Sequence, residues 1–325
     1  MDARRPPIPP APPPGLWRRT PPAVFPPILG ILGLGLAWRA AGAGWQAAVG
    51  ELILGAGTLL FAFAAVAWLS KPLRRPGVLL EEMSVLPGRA GLTAMTLSGF
   101  AVAAALAPHA PRLALGLSVL VLVAHTGLAA LYLRLILIGP VEARTLTPVW
   151  HLAFVGFIVA GLSWVPLGAE GAARFVLFAT LPVAGAIWLI SLYQLVRRIP
   201  PAPLRPLLAI HLAPACLLAT VAAGVGLGGL ASLLAGLAVA ILLALVVAAR
   251  WITQSGFSPL WGAFTFPLSA FAGMLWALVA AGEPLRGAAA IMLVVATLAI
   301  PPILVRILQL WAKGDLAVRT NAATA

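Results

Sequence analysis

The sequence predicts an all-α polytopic membrane protein: ten transmembrane helices, arranged as five helical hairpins with quasi-fivefold symmetry around a central pore. Three observations lead there. Hydrophobic residues make up 62% of the chain and charged residues 9%, and the mean hydropathy is +1.05. A soluble domain is nearer one half apolar and one quarter charged, so the bulk of this chain must sit in lipid. The apolar residues are gathered into ten runs of about the length a helix needs to cross a bilayer, with cationic residues between them. Prolines return at the interval of one helical hairpin.

Cutting the 325 residues at charges, prolines and glycine clusters gives apolar segments at 23–38, 47–69, 90–106, 113–138, 149–167, 175–196, 207–227, 231–252, 260–279 and 288–310. Residues 1–20 are proline-rich, carry Arg4, Arg5, Arg18 and Arg19, and read as a disordered cytoplasmic tail. Residues 21–312 form the transmembrane domain and 313–325 a short cytoplasmic tail.

A net charge of +13 would suggest a nucleic-acid partner in a soluble protein, but here the basic residues lie between apolar runs and act as topology signals. With the N-terminus inside, 17 of the 21 Lys and Arg residues face the cytoplasm, and 4, Arg39, Arg112, Arg174 and Arg286, face outward. One missed or invented span would scramble that ratio. An even number of spans with both termini cytoplasmic follows, in a bacterial inner membrane.

The odd segments start at prolines and often hold a second one. Taking Pro27, Pro87, Pro148, Pro206 and Pro267, the spacings are 60, 61, 58 and 61 residues. Pro214 to Pro267 and Pro206 to Pro259 are both 53, so the register of the later repeats has two readings. Five near-equivalent units tend to close on themselves. The bent odd helices are expected to form an inner ring and the smoother even helices an outer one. Glycines are dense in the odd segments, Gly30 among them, which serves close helix packing, an open lumen, or both.

The ninth segment carries Pro259 and Pro267 within an otherwise membrane-compatible helix, with Phe264, Phe266 and Phe271 around the bend. A proline inside a helix deletes a backbone hydrogen bond, and in lipid the freed carbonyl must face protein or a cavity. An aromatic ring pointing inward at such a bend would stopper a narrow pore. Phe266 immediately precedes Pro267 and is the expected gate, with Phe264 the alternative.

No odd segment holds an acid or an ammonium or guanidinium base near its middle, which argues against a tightly coupled pump. His151 and His211 share inner-ring helices and similar depth; each is either a satisfied core histidine or part of a titrating, anion-attracting patch. Arg89 would add charge at the inner mouth or serve as a topology charge alone. Thr93, Thr96, Ser98, Ser163, Thr220, Thr265 and Ser269 are candidate pore-lining hydroxyls, although hydroxyls in helices usually bond back to a carbonyl one turn earlier. Pro27, Gly30, Pro214 and Pro267 complete the candidate lining. No metal pair, cofactor motif or catalytic motif is present, Cys216 is the one cysteine, and an enzyme is not expected.

Three stretches carry a family resemblance: Phe25-Pro-Pro-Ile-Leu-Gly-Ile-Leu-Gly-Leu-Gly-Leu-Ala-Trp-Arg39, Leu212-Ala-Pro214 and Trp261-Gly-Ala-Phe-Thr-Phe-Pro267. In these and in length and hairpin repeat the chain resembles the tellurite-resistance/dicarboxylate transporter family, which includes the plant slow anion channel and bacterial tellurite-resistance membrane proteins. The resemblance implies a fivefold ten-helix arrangement, a central anion pathway, a homotrimer with one pore per subunit, and a gating phenylalanine in the ninth helix, which falls on Phe266. The stretch from Glu81 to Arg89 departs from the His-Pro-Arg type seen in several relatives. The expected function is an anion channel or permease passing small anions, with tellurite and C4-dicarboxylates as candidates. The rivals are a proton-coupled dicarboxylate or sulfite carrier, and a non-transporting scaffold or sensor.

Overall fold

The computed structural model describes residues 15, 17–139 and 144–325, so most of the expected N-terminal tail lies outside the described residues. Every regular element among them is helical. The elements are α1 (Pro22–Ala40), α2 (Trp45–Arg74), α3 (Val78–Ser84), α4 (Leu86–Leu106), α5 (Pro111–Ile138) and α6 (His151–Trp164). They continue with α7 (Glu170–Arg197), α8 (Ala202–Gly224), α9 (Gly228–Val247), α10 (Pro259–Ala280), α11 (Arg286–Ala312) and α12 (Asp315–Arg319). The short helices α3 and α12 lie outside the ten apolar segments.

Nine of the described helices are long and apolar enough to cross a membrane. The tenth, α6, is shorter and irregular: a π-turn over His151–Val155, a 3₁₀ stretch over Gly156–Ala160 and one α-turn over Gly161–Trp164. Its glycines explain part of this. A Cβ on Gly156 would lie 2.7 Å from Leu97 Cδ2, and one on Gly161 2.6 Å from Val221 Cγ2, so α6 is pressed between α4 and α8.

The odd apolar segments form a closed inner ring: α1 touches α4, α4 touches α6, α6 touches α8, α8 touches α10, and α10 returns to α1. Each outer helix lies over two inner ones, α2 on α1 and α4, α5 on α4 and α6, α7 on α6 and α8, α9 on α8 and α10, α11 on α10 and α1. Burial separates the two sets. In the most apolar stretch of each span, 61 to 89% of the residues are buried in α1, α4, α8 and α10, against 22 to 33% in the five outer helices. The outer faces carry Leu59, Phe63, Leu120, Val123, Leu189, Val196, Leu233 and Leu298, all exposed, as lipid contact requires.

Proline sets the start of the inner helices, because its missing N–H costs nothing in a first turn. α1, α8 and α10 open in 3₁₀ geometry at Pro22, at the Ala202–His211 stretch and at Pro259. At the opposite end Arg39, in the last turn of α1, donates to the Ala104 and Ala105 carbonyls of α4 at 3.2 and 3.0 Å and pairs with Glu51 of α2 at 2.7 Å. These bonds satisfy carbonyls that the end of α4 leaves without helical partners.

A buried ion pair holds the other face. Lys71 Nζ lies 2.5 Å from Glu82 Oε1 and donates to the Thr20 carbonyl at 2.8 Å, with both charged side chains fully buried. Burial pushes the Glu82 carboxyl above its ordinary range, against the pull of the Lys71 ammonium. The Ala323 N–H also reaches Glu82, and the Ala325 N–H donates to the Arg18 carbonyl, so both ends of the described chain are tied to the α2–α3 turn.

Candidate functional site

Cavities lie along the inner ring, three of which concern the candidate lining. The first has a volume of about 40 Å³ and lies at the end where the inner helices begin, walled by all five of them. Its walls follow helical spacing in four of them, Ala23, Pro26 and Leu29; Pro87, Ala90 and Ala94; Leu207, Ile210 and Ala213; Leu260, Ala263 and Phe266, and α6 adds Leu152. A second, tighter cavity of about 10 Å³ adjoins it, sharing Leu152, Ile210, Ala213 and Phe266, and is also lined by His151, Val155 and Pro214. A third, of about 330 Å³, lies where α6, α8 and α10 end, among Gly161, Val165, Thr220, Gly224 and Ala277.

One register relates the five inner helices. Counting seven residues from the prolines Pro22, Pro87, Pro148, Pro206 and Pro259 gives Leu29, Ala94, Val155, Ala213 and Phe266, and every one of these lines the first or second cavity. Side chains seven apart sit on one helix face two turns on. The cavity stripe was therefore present in the sequence as small or apolar residues at three- and four-residue steps after each opening proline. The register running from Pro27 to Pro267 is displaced from it at both ends, whereas the alternative pairing of Pro206 with Pro259, 53 residues apart, is part of it.

At this level four helices offer Leu, Ala, Val and Ala, and α10 alone offers an aromatic. Phe266 is 5% exposed and forms a common wall of the first and second cavities. Pro267, next to it, lines the first cavity and Pro214 the second. Phe264 instead packs edge-on against Trp261, with ring centroids 5.6 Å apart, and is on neither wall.

The hydroxyls are occupied. Thr93 donates to the Arg89 carbonyl, Ser98 to Ala94, Ser163 to Ala160, Thr220 to Cys216, Thr265 to Gly262 and Ser269 to Phe266, all at 2.7 to 2.9 Å. Thr96 lies 2.8 Å from the Thr93 carbonyl and 2.7 Å from His125 Nδ1. Of the seven, Thr220 alone is on a cavity wall. Gly30 and Pro27 face α10 rather than a cavity: a Cβ on Gly30 would fall 2.3 Å from Thr265 Cβ, and Pro27 Cδ lies 3.2 Å from where a Gly262 Cβ would sit.

His151 and His211, sixty residues apart, meet across α6 and α8, with His151 Nε2 3.0 Å from His211 Nδ1. Both helices change type there: the π-turn of α6 starts at His151 and the 3₁₀ stretch of α8 ends at His211. Trp188 of α7 donates its indole N–H to the His211 carbonyl at 3.1 Å and lays its ring against His151. Sequence alone put the two histidines at similar depth but carried no sign of Trp188, whose outer helix reads as lipid-facing.

A family model described as voltage-dependent anion channel, SLAC1, matches residues 19–308, from the start of the described fold through most of the last span. The chain belongs to the voltage-dependent anion channel family. A comparison with curated proteins returns no match. Arg89, 6% exposed at the start of α4, holds its guanidinium 5.4 Å from the ring of Tyr132 on the outer helix α5. Among the described residues no group of three or more His, Cys, Asp and Glu is placed to hold a metal ion.

Proposed function

We propose that this channel-family protein passes small anions along the axis of its inner ring, and that the phenyl ring of Phe266 closes the path. The carrying observation is that one aromatic side chain lines both of two adjoining cavities at a level where every other inner helix offers Leu, Val or Ala. Four features support the reading. The first and second cavities are lined by uncharged residues apart from His151, so an ion meets no fixed charge that would hold it. All five inner helices start at the same face, so their positive dipole ends converge on the mouth of the first cavity. Lys and Arg are concentrated on that side of the chain. The common proline register supports quasi-fivefold symmetry of the five hairpins.

On this reading the protein sits in a bacterial inner membrane with both termini cytoplasmic, and forms a homotrimer with a path in each subunit. Tellurite and C4-dicarboxylates are candidate cargoes beside simpler anions. The test is flux into proteoliposomes of chloride, nitrate, malate, sulfite and tellurite, with sodium and potassium as controls, for the native protein and Phe266→Ala. Anion flux that rises in the variant, with cation flux unchanged, is expected. No anion flux from either protein, at equal reconstitution, would refute it.

A further inference from the structure

We infer that His151 and His211 form a proton-loaded anion station beside the Phe266 gate, taking up one proton together with one small monovalent anion. The inference rests on the proposed path and deepens it.

The geometry begins with the 3.0 Å contact between His151 Nε2 and His211 Nδ1. Two neutral imidazoles at that distance share one N–H, so one nitrogen donates and the other accepts. The outer nitrogen of His151, Nδ1, is buried and has no hydrogen-bond partner, and the residue is 2% exposed. His151 also lines the cavity that Phe266 closes.

Adding a proton does not break such a pair. His151 then carries both N–H groups: Nε2–H still donates to His211, and Nδ1–H becomes a buried donor without an acceptor. A unit positive charge appears beside a cavity whose other walls are apolar. A buried charge and an unmade donor are both costly. The second cavity has room for about one water with the Phe266 ring in place, so it is in the space that opens when that ring moves that a small anion answers both, giving an acceptor to Nδ1–H and a counter-charge to the imidazolium. Proton and anion therefore strengthen one another's binding, and the coupling is the same in both directions. The loaded station is electrically neutral.

Among the described residues nothing else on the neighbouring helices supplies that counter-charge. From α8 the facing group is His211 itself, and from α7 it is the uncharged Trp188. On α4 and α5, Arg89, Tyr132 and His125 are a layer away: Tyr132 meets Trp150 and Phe154, Arg89 lies over Tyr132, and His125 meets Phe157. No carboxylate among the described residues bonds to or pairs with either histidine.

Two measurements test it. In proteoliposomes of Phe266→Ala, where the gate is removed, nitrate flux is compared at about pH 5.5 and about pH 7.5, either side of the ordinary histidine range. Flux is expected to be at least roughly fivefold higher at the lower pH, the lower end of ordinary coupling between sites. In Phe266→Ala carrying His151→Gln or His211→Gln that ratio is expected to fall to near one. A ratio that is flat before the histidines are changed, or that persists after, overturns the station while leaving the gate standing. Absence of raised flux in Phe266→Ala overturns the gate instead. The second measurement needs no variant. The chain has four histidines, so selective ¹⁵N labelling gives a readable imidazole spectrum of the native protein in lipid. The titration midpoint of the hydrogen-bonded pair should move upward when nitrate replaces a large impermeant anion; a midpoint indifferent to nitrate overturns the proposal.

Discussion

Gly30→Ala is the sharpest test of how the inner ring closes. Gly30 is where α1 meets α10, and a Cβ built there would stand 2.3 Å from Thr265 Cβ and 2.9 Å from the Thr265 backbone carbonyl carbon. Ordinary contact between such atoms is about 3.5 to 4.0 Å. Rotating the threonine does not relieve a clash with its backbone, so α10 must move away by about 1 Å or more. That displacement separates the helix pair with the most extensive packing in the ring and strains the Thr265 hydroxyl, which lies 3.1 Å from the Pro26 carbonyl of α1. Forcing a methyl into a packed core typically costs about 1–3 kcal/mol. Gly55 on α2 is the control, since nothing lies within 4 Å of its Cβ position, and Gly55→Ala should be neutral or gain up to about 1 kcal/mol from helix propensity. The assay is the midpoint of thermal loss of the monodisperse peak in detergent. A lower midpoint for Gly30→Ala and none for Gly55→Ala is expected. If Gly30→Ala melts with the native protein, α1 and α10 do not touch as described.

Phe266→Ala removes the ring that lines both the first and the second cavity and should raise anion flux at least roughly tenfold, equivalent to about 1.4 kcal/mol off the barrier; flux counters normalised to reconstituted protein will show it. Lys71→Met leaves the Glu82 carboxylate buried without its cation and should cost about 3–5 kcal/mol, while Lys71→Met with Glu82→Leu should recover most of that loss in the same melting assay. Ser118→Ala strands the buried Trp164 indole N–H, which donates to Ser118 at 2.8 Å, and should lower stability by about 1–3 kcal/mol. Replacing the Ser232 hydroxyl, exposed on α9, should leave the melting midpoint unchanged.

The inner and outer rings were legible because burial leaves a compositional mark: helices enclosed by protein tolerate proline and glycine, while helices facing lipid select leucine and valine. The ends of the long helices fell close to the apolar boundaries, since charge and proline mark both. α6 was less legible because Gly156 and Gly161 loosen its geometry in ways hydropathy does not register. The hydroxyls misled for a physical reason. A threonine on an inner helix looks like lining, but in an apolar bundle its O–H finds the carbonyl a turn earlier before it finds the axis, as Thr93, Ser163 and Ser269 do. Phe264 and Phe266 could not be separated by composition; two residues along a helix is a rotation of about 200°, and only the placement of Pro259 two turns before Phe266 carried the register.

The opening prolines also bear on how such a mouth can attract anions without trapping them. A helix N-terminus normally offers free N–H groups that bind an anion directly, in addition to the field of its dipole. A proline in the first turn removes one of those donors and leaves the dipole in place. Pro26 on α1, Pro87 on α4 and Pro259 on α10 all line the first cavity. Its wall keeps the attractive field of converging helix ends but presents proline, alanine and leucine carbon where amide hydrogens would otherwise stand. On the proposed path, an ion drawn in by that field would find few ligands until it reached the level of Phe266, where the His151 pair would be the first group able to offer an N–H.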